Sequence, residues 1–202
     1  MSHVLRFVLA SHNAHKVAEF GGILADSGVD VTVDAYDGPE PIESGTTFAE
    51  NALIKARAAA EHTGLPALAD DSGICVDVMA GMPGIFSSRW SGEGATDVRN
   101  VDLLLAQTAD IPDAHRGAQF RCVIAVVIPA IGGDAAREFT VEGVWPGRLA
   151  REARGAGGFG YDPVFVPEGE DRSAAEMASH EKNATSHRAR AIRELASALR
   201  RL

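Results

Sequence analysis

The sequence predicts an α/β fold, and three observations lead there. The chain opens as strand, loop and helix; strongly apolar strand-like runs recur from Ala118 to Ile128 and from Arg137 to Trp145; and stretches with helical periodicity lie elsewhere along the chain. With 202 residues, 46% of them hydrophobic, the chain can bury a substantial core. The expectation is a single domain over residues 1–202, built as one body or as two tightly joined lobes.

Arg6 to Ala10 reads as a buried strand and Ser11-His12-Asn13 as a loop. Val17, Phe20, Ile23 and Leu24 then form the inward stripe of a helix ending at Gly28. A helix that starts just after a strand aims unpaired N–H groups at the strand's carboxyl edge, where anions bind. Ser11, Asn13 and Lys16 therefore read as a phosphate grip, or as a helix cap beside a solvated lysine. Val31 to Tyr36 alternates as a strand, and Gly38 to Gly45 is a loop rich in breakers, with Glu43 as a metal ligand or plain surface. Thr47-Phe48-Ala49-Glu50 is a capping box for a helix whose body runs from Asn51 to His62. Its Lys55 and Arg57 read as a solvated face.

Leu68-Ala69-Asp70-Asp71-Ser72-Gly73 lies between apolar runs. Adjacent carboxylates at the edge of an apolar core repel each other and lose hydration, so Asp70-Asp71 is a candidate metal and base site. Asp-Ser-Gly is equally good hairpin chemistry. From Gly81 to Gly92 a long loop carries glycines, Phe86, Arg89 and Trp90; it lies over a ligand or partner, or is a surface loop anchored by Trp90. A helix from about Thr96 to Thr108 follows, with Val98, Val101, Leu104 and Leu105 inward.

Gly155 to Gly160 formally contains G-x-G-x-x-G. A dinucleotide fingerprint needs a strand before it and a helix after it, whereas Tyr161 to Val166 follows as an extended run. The segment is then a glycine loop presenting Phe159 and Asp162, suited to a base stacked on an aromatic ring, or a tight surface turn. Ser173 to Glu176 is a second capping box, and Ser186 caps a last helix with Ala189, Ile192, Leu195, Ala196 and Leu199 inward. That cap puts His187 and Arg188 in the first turn, where the helix dipole disfavours cations; a bound acceptor would compensate them, with Lys182 nearby. His187 alone reads as a surface histidine.

The net charge of −9 argues against a broad nucleic-acid or anionic-membrane surface, and no apolar run approaches the about 20 residues of a membrane span. Cys75 and Cys122 sit in apolar runs and read as buried free thiols, which suits a reducing cytoplasm. No P-loop, zincin, C-x-x-C or G-x-S-x-G motif is present.

In sequence order, Ser11-x-Asn13-x-x-Lys16, Glu43, Ala69-Asp70-Asp71-Ser72-Gly73, Gly158-Phe159-Gly160-Tyr161-Asp162-Pro163, Lys182 and Ser186-His187-Arg188 resemble the inosine triphosphate pyrophosphatase family over almost the whole chain. The resemblance implies a mixed, curved central sheet with flanking helices, two lobes around an active-site cleft, and a homodimer. It implies Mg²⁺-dependent hydrolysis of inosine, deoxyinosine and xanthosine triphosphates to monophosphate and pyrophosphate. The turn Ser11-His12-Asn13-Ala14-His15-Lys16 would hold the triphosphate, Asp71 would be the base, and Asp71, Glu43 and Asp70 would hold the metal. Ser72 would contact the nucleotide, Phe159, Gly160, Tyr161 and Asp162 would frame base and sugar, and Lys182, His187 and Arg188 would read the base edge. Two departures stand out: Ser11-His12-Asn13 replaces an expected Thr-Gly-Asn, and Phe86 and Trp90 replace tyrosines. Two other readings are a related septum-inhibitor-type pyrophosphatase acting on pyrimidine or modified nucleotides, and a nucleotide-binding module without turnover.

Overall fold

The computed structural model describes residues 5–12, 14–130 and 135–201. The architecture is mixed α/β. Six strands, β1 (Leu5–Leu9), β2 (Val31–Ala35), β3 (Ala67–Val76), β4 (Gly117–Ile128), β5 (Arg137–Leu149) and β6 (Phe165–Pro167), form one sheet in the order β2-β1-β3-β4-β5-β6. β1 pairs parallel with β2 and with β3, whereas β5 and β6 pair antiparallel. Among the described residues, five α-helices accompany them: α1 (Ala14–Asp26), α2 (Phe48–Thr63), α3 (Asp97–Gln107), α4 (Ser179–Thr185) and α5 (His187–Leu199).

The chain divides into two compact units. The first comprises residues up to Asp71, Cys122–Gly143 and the segment from Ala189 onward. Its core joins Phe7 and Leu9 of β1, Phe20 and Leu24 of α1, Ile124 and Val126 of β4 and Ile192 and Leu195 of α5. The predicted inward stripes of α1 and α5 are the ones buried, because residues spaced three and four apart share one helix face. The second unit comprises Ser72–Arg121 and Val144–Arg188. Its core gathers Ile74 and Val76 of β3, Val101 and Leu104 of α3, Phe120 of β4, Trp145 of β5 and Phe165 of β6. Each such side chain contributes about 1.5–3 kcal/mol by leaving water.

Several expectations are corrected. β3 runs unbroken through Asp70-Asp71-Ser72-Gly73, so no hairpin forms there. Gly73 makes this possible: a Cβ on it would lie 2.4 Å from the Gly84 carbonyl oxygen and from Ser87 Oγ. Val98 is 69% exposed rather than inward, since the buried face of α3 is that of Asn100, Val101 and Leu104. β5 continues past Trp145 to Leu149, and Tyr161 to Val166 is not extended throughout, because a 3-10 turn occupies Asp162–Val164. The Gly81–Gly92 loop contains a 3-10 helix over Gly84–Arg89, pinned by the Asn100 amide, which donates to the Ser87 and Ser88 carbonyls.

Capping follows the sequence closely. Thr47 Oγ1 accepts from Glu50 N at 3.1 Å, while the Glu50 carboxylate reaches Thr46 N instead of Thr47 N. Glu176 Oε2 accepts from Ser173 N at 2.7 Å. Cys75 and Cys122 are buried and not joined in a disulfide. Among the described residues, no helix is long and apolar enough to cross a membrane.

Candidate active site

In the first unit, β3 delivers Asp70 and Asp71 to different partners, as expected when successive strand side chains alternate direction. Asp70, 4% exposed, takes both oxygens to Lys16 Nζ, at 2.9 and 3.1 Å. Lys16 comes from the first turn region of α1, so the strand–turn–helix opening puts a cation just beyond the carboxyl end of β1, beside the neighbouring β3. Asp71 Oδ2 accepts from Asn51 Nδ2 at 3.2 Å, and Asp71 Oδ1 lies 3.4 Å from Lys55 Nζ. The same Lys55 ammonium donates to Glu43 Oε1 at 2.8 Å.

Lys55 is thus no solvated residue, whereas Arg57 is exposed and pairs with Glu138. Asn51 is fully buried, and its Oδ1 accepts from Gly45 N at 2.9 Å, which ties the Glu43 loop to α2. The sequence reading missed Asn51 and Lys55 as site residues. The available signal was their spacing of four, which places both on one helix face.

Burial raises the Asp71 pKa above its ordinary value; the Lys55 charge opposes this, the nearby Glu43 charge adds to it, and the hydrogen bond from Asn51 lowers it again. A carboxylate so raised holds a proton more readily and is a better base. Burial pulls the Lys55 pKa down, but Asp71, Glu43 and Asp70 outweigh it, so the ammonium is held charged. A pocket of about 370 Å³ is lined by Ser11, Lys16, Glu43, Lys55 and Asp70 among others.

Among the described residues no three His, Cys, Asp or Glu side chains converge as a ready metal cage. Glu43 and Asp71 nevertheless offer carboxylate oxygens to one ammonium. That donor set fits Mg²⁺, which binds through one or two carboxylates and completes its shell with water and substrate phosphates. Asp70 pairs with Lys16. Asn13 lies outside the described residues, and Ala14 and His15 open the α1 backbone.

In the second unit the glycine loop is held by two carboxylates. Asp162, 2% exposed, accepts from Phe159 N at 2.8 Å and pairs with Lys182 Nζ. Asp97 at the start of α3 accepts from Gly160 N at 2.7 Å. Gly158 has φ +72°, and a Cβ there would meet Asp162 Oδ2 at 2.0 Å, so only glycine fits. The ring of Phe159 is 62% exposed, with the Lys182 ammonium 4.9 Å from its centroid. Tyr161 is buried and donates its hydroxyl to the Ser87 carbonyl at 2.8 Å; burial, with Asp97 adding, raises its pKa.

His187 and Arg188 are buried, 7% and 6% exposed, which corrects the surface-histidine reading. The His187 ring stacks on Phe120 at 4.8 Å between centroids and lies 6.4 Å from Trp145. Ser72 is half-buried in β3. The structure therefore groups Ser11, Lys16, Glu43, Asp70 and Asp71 in one unit, and Phe159, Gly160, Tyr161, Asp162, Lys182, His187 and Arg188 in the other.

Comparison with known proteins matches residues 7–198 to the model of the Ham1 family. A protein of Leifsonia xyli subsp. xyli named dITP/XTP pyrophosphatase is 55% identical over 199 residues, covering 98% of each chain. The solved structure of a HAM1 protein from Coxiella burnetii is 43% identical with a TM-score of 0.87, covering 98% of this chain and 100% of that one. The dITP/XTP pyrophosphatase structure from Mycobacterium abscessus is 46% identical with a TM-score of 0.78, covering 95% and 97%.

Proposed function

The chain belongs to the Ham1 family, and from that premise we propose that it hydrolyses inosine, deoxyinosine and xanthosine triphosphates to the monophosphate and pyrophosphate. The observation that carries the reading is the pairing along β3 of two carboxylates with two ammonium groups, Asp70 with Lys16 and Asp71 with Lys55. Relatives named dITP/XTP pyrophosphatase at 55% and 54% identity support the substrate class.

In this reading Ser11, Lys16 and the turn between them bind the phosphate chain, and Lys16 offsets its negative charge. Asp71 takes a proton from the attacking water as the water's oxygen bonds to the α-phosphorus; the bond to the bridging oxygen breaks, and that oxygen leaves with pyrophosphate. Lys55 and Asn51 hold the Asp71 carboxylate in place. Asp71 and Glu43, with Asp70 in support, would hold Mg²⁺, which would supply positive charge for the phosphates and the leaving group.

Base choice follows from donors. Hypoxanthine and xanthine carry a 6-oxo acceptor where adenine carries an amino donor. Lys182, His187 and Arg188 pair with the former, and a site built to pair a polar group rejects its analogue by about 10⁴. Phe159 offers its exposed ring for stacking on the base. The homodimer rests on the family resemblance alone.

The deciding assay is pyrophosphate release from inosine, xanthosine, guanosine, adenosine and thymidine triphosphates, with Mg²⁺ and with a chelator. The first two turn over far faster than the rest, and the chelator abolishes the reaction. A preference for thymidine triphosphate, or no hydrolysis, overturns the assignment.

A further inference from the structure

The turn between β1 and α1 carries an imidazole, His12, whose two ring nitrogens both face acceptors. Nε2 lies 3.0 Å from the Gly38 carbonyl oxygen and Nδ1 3.1 Å from Glu40 Oε1. The ring stacks on Tyr36, with centroids 5.8 Å apart and planes 7° apart. Tyr36 in turn donates its hydroxyl to the Pro39 carbonyl at 3.0 Å. Gly38 packs so closely beneath Tyr36 that a Cβ on it would lie 2.3 Å from the phenolic oxygen. The segment from Tyr36 to Glu40 is therefore folded tightly on itself and fastened to the β1–α1 turn through one ring. Tyr36 and Glu40 line the same pocket as Ser11, Lys16 and Glu43, and the segment leads directly to Glu43.

We infer that His12 is a positioning residue of the phosphate subsite: its ring straps Gly38–Glu40 to the turn bearing Ser11, and the strap sets the pocket wall that the phosphate chain meets. The inference rests on the phosphate role proposed above for Ser11 and Lys16. The Glu40 carboxylate is 73% exposed, so its ion pair contributes little, and the Gly38 bond with the Tyr36 stack carries the strap. The neutral Nε2–H tautomer already makes the Gly38 bond, and the imidazolium adds the Glu40 bond. His12 thus acts through the loop and not as a charge on the substrate.

Three measurements test this. Calorimetry with inorganic tripolyphosphate reads the phosphate subsite without the base. Loss of one such positioning contact weakens binding by about 10-fold in His12→Ala, whereas His12→Gln, which keeps a donor for the Gly38 carbonyl, recovers most of it. In inosine triphosphate hydrolysis the His12→Ala effect falls on KM, with a much smaller change in kcat. His12→Ala binding like the native protein overturns the strap. So does His12→Gln binding as weakly as His12→Ala, because the imidazole charge would then be acting on the phosphates directly. Nitrogen NMR of the ligand-free protein provides the independent arm: the His12 Nε2 is protonated and hydrogen-bonded. A bare Nε2 overturns the strap whether or not the protein binds phosphate. Absence of both tripolyphosphate binding and hydrolysis in the native protein overturns the proposed function instead, leaving the NMR result to decide the strap.

Discussion

The Lys55 ammonium stands 3.4 Å from Asp71 Oδ1, and both side chains are largely shielded from solvent, 17% and 13% exposed. Screening is weak there, so the cation bears on how tightly Asp71 holds its proton. Lys55 favours the ionised carboxylate, against the burial that raises its pKa. Replacing Lys55 with Met therefore raises the Asp71 pKa further, and the base form appears only at higher pH. The acidic limb of the kcat profile moves up, and activity falls more at low pH than at high. A limb that stays in place removes Asp71 as the group that sets it.

Asp71→Asn keeps the shape of the side chain and its position beside Asn51 while removing the proposed proton acceptor. Turnover of inosine triphosphate falls by about 10²–10⁴, the usual contribution of general-base catalysis. Substrate still binds by calorimetry, because Ser11 and Lys16 are untouched. Unchanged turnover sinks the base assignment.

Metal removal separates chemistry from folding. Glu43 and Asp71 are both held by the Lys55 ammonium. A chelator abolishes hydrolysis, added Mg²⁺ restores it, and the far-UV circular dichroism is unchanged throughout. A spectral change on chelation would mean that a metal also supports the fold.

In the second unit, Lys182→Met leaves the Asp162 carboxylate, 3% exposed, without its cation, though it keeps the Phe159 N–H. Breaking a buried pair on one side costs about 3–5 kcal/mol, and the retained N–H bond places this case near about 3 kcal/mol. Urea unfolding reads the loss. A change within the scatter of surface substitutions would show that the backbone N–H alone suffices for Asp162.

Both tyrosines titrate late. Burial raises the pKa of Tyr161, with Asp97 adding, and burial raises that of Tyr36, with Asp37 adding, both above the ordinary 10.0. A raised acid pKa means that the folded state holds the proton more tightly than the unfolded chain does. The stability this contributes is full below the unfolded pKa and is lost as pH rises through the folded one. Alkaline absorbance titration shows less tyrosinate in the folded protein than in urea at the same pH. Coincident curves would contradict the burial of both phenols.

Patterns local to the chain carried much of the reading. Helical spacing identified the buried stripes of α1 and α5, and threonine and serine followed three residues later by glutamate marked the caps at Thr47 and Ser173. The same local signals failed at Asp70 to Gly73, where turn chemistry and a strand look alike. The strand wins because the 3-10 segment packs against Gly73 where a side chain would stand. They failed at Val98 as well, which continues an apolar spacing but falls outside the buried face.

Sequence by itself determined the α/β class, the buried stripes of α1 and α5 and which residue types could serve phosphate, metal and base, because each follows from propensity or from a short motif. Only the tertiary structure decided how charge is partitioned: Asp70 to Lys16, Asp71 and Glu43 to Lys55, Asp162 to Lys182. Those partners lie 12 to 54 residues apart in the chain. Whether a lysine is a solvated face or the cation of a buried carboxylate depends on which strand its helix packs against, and no local pattern records that.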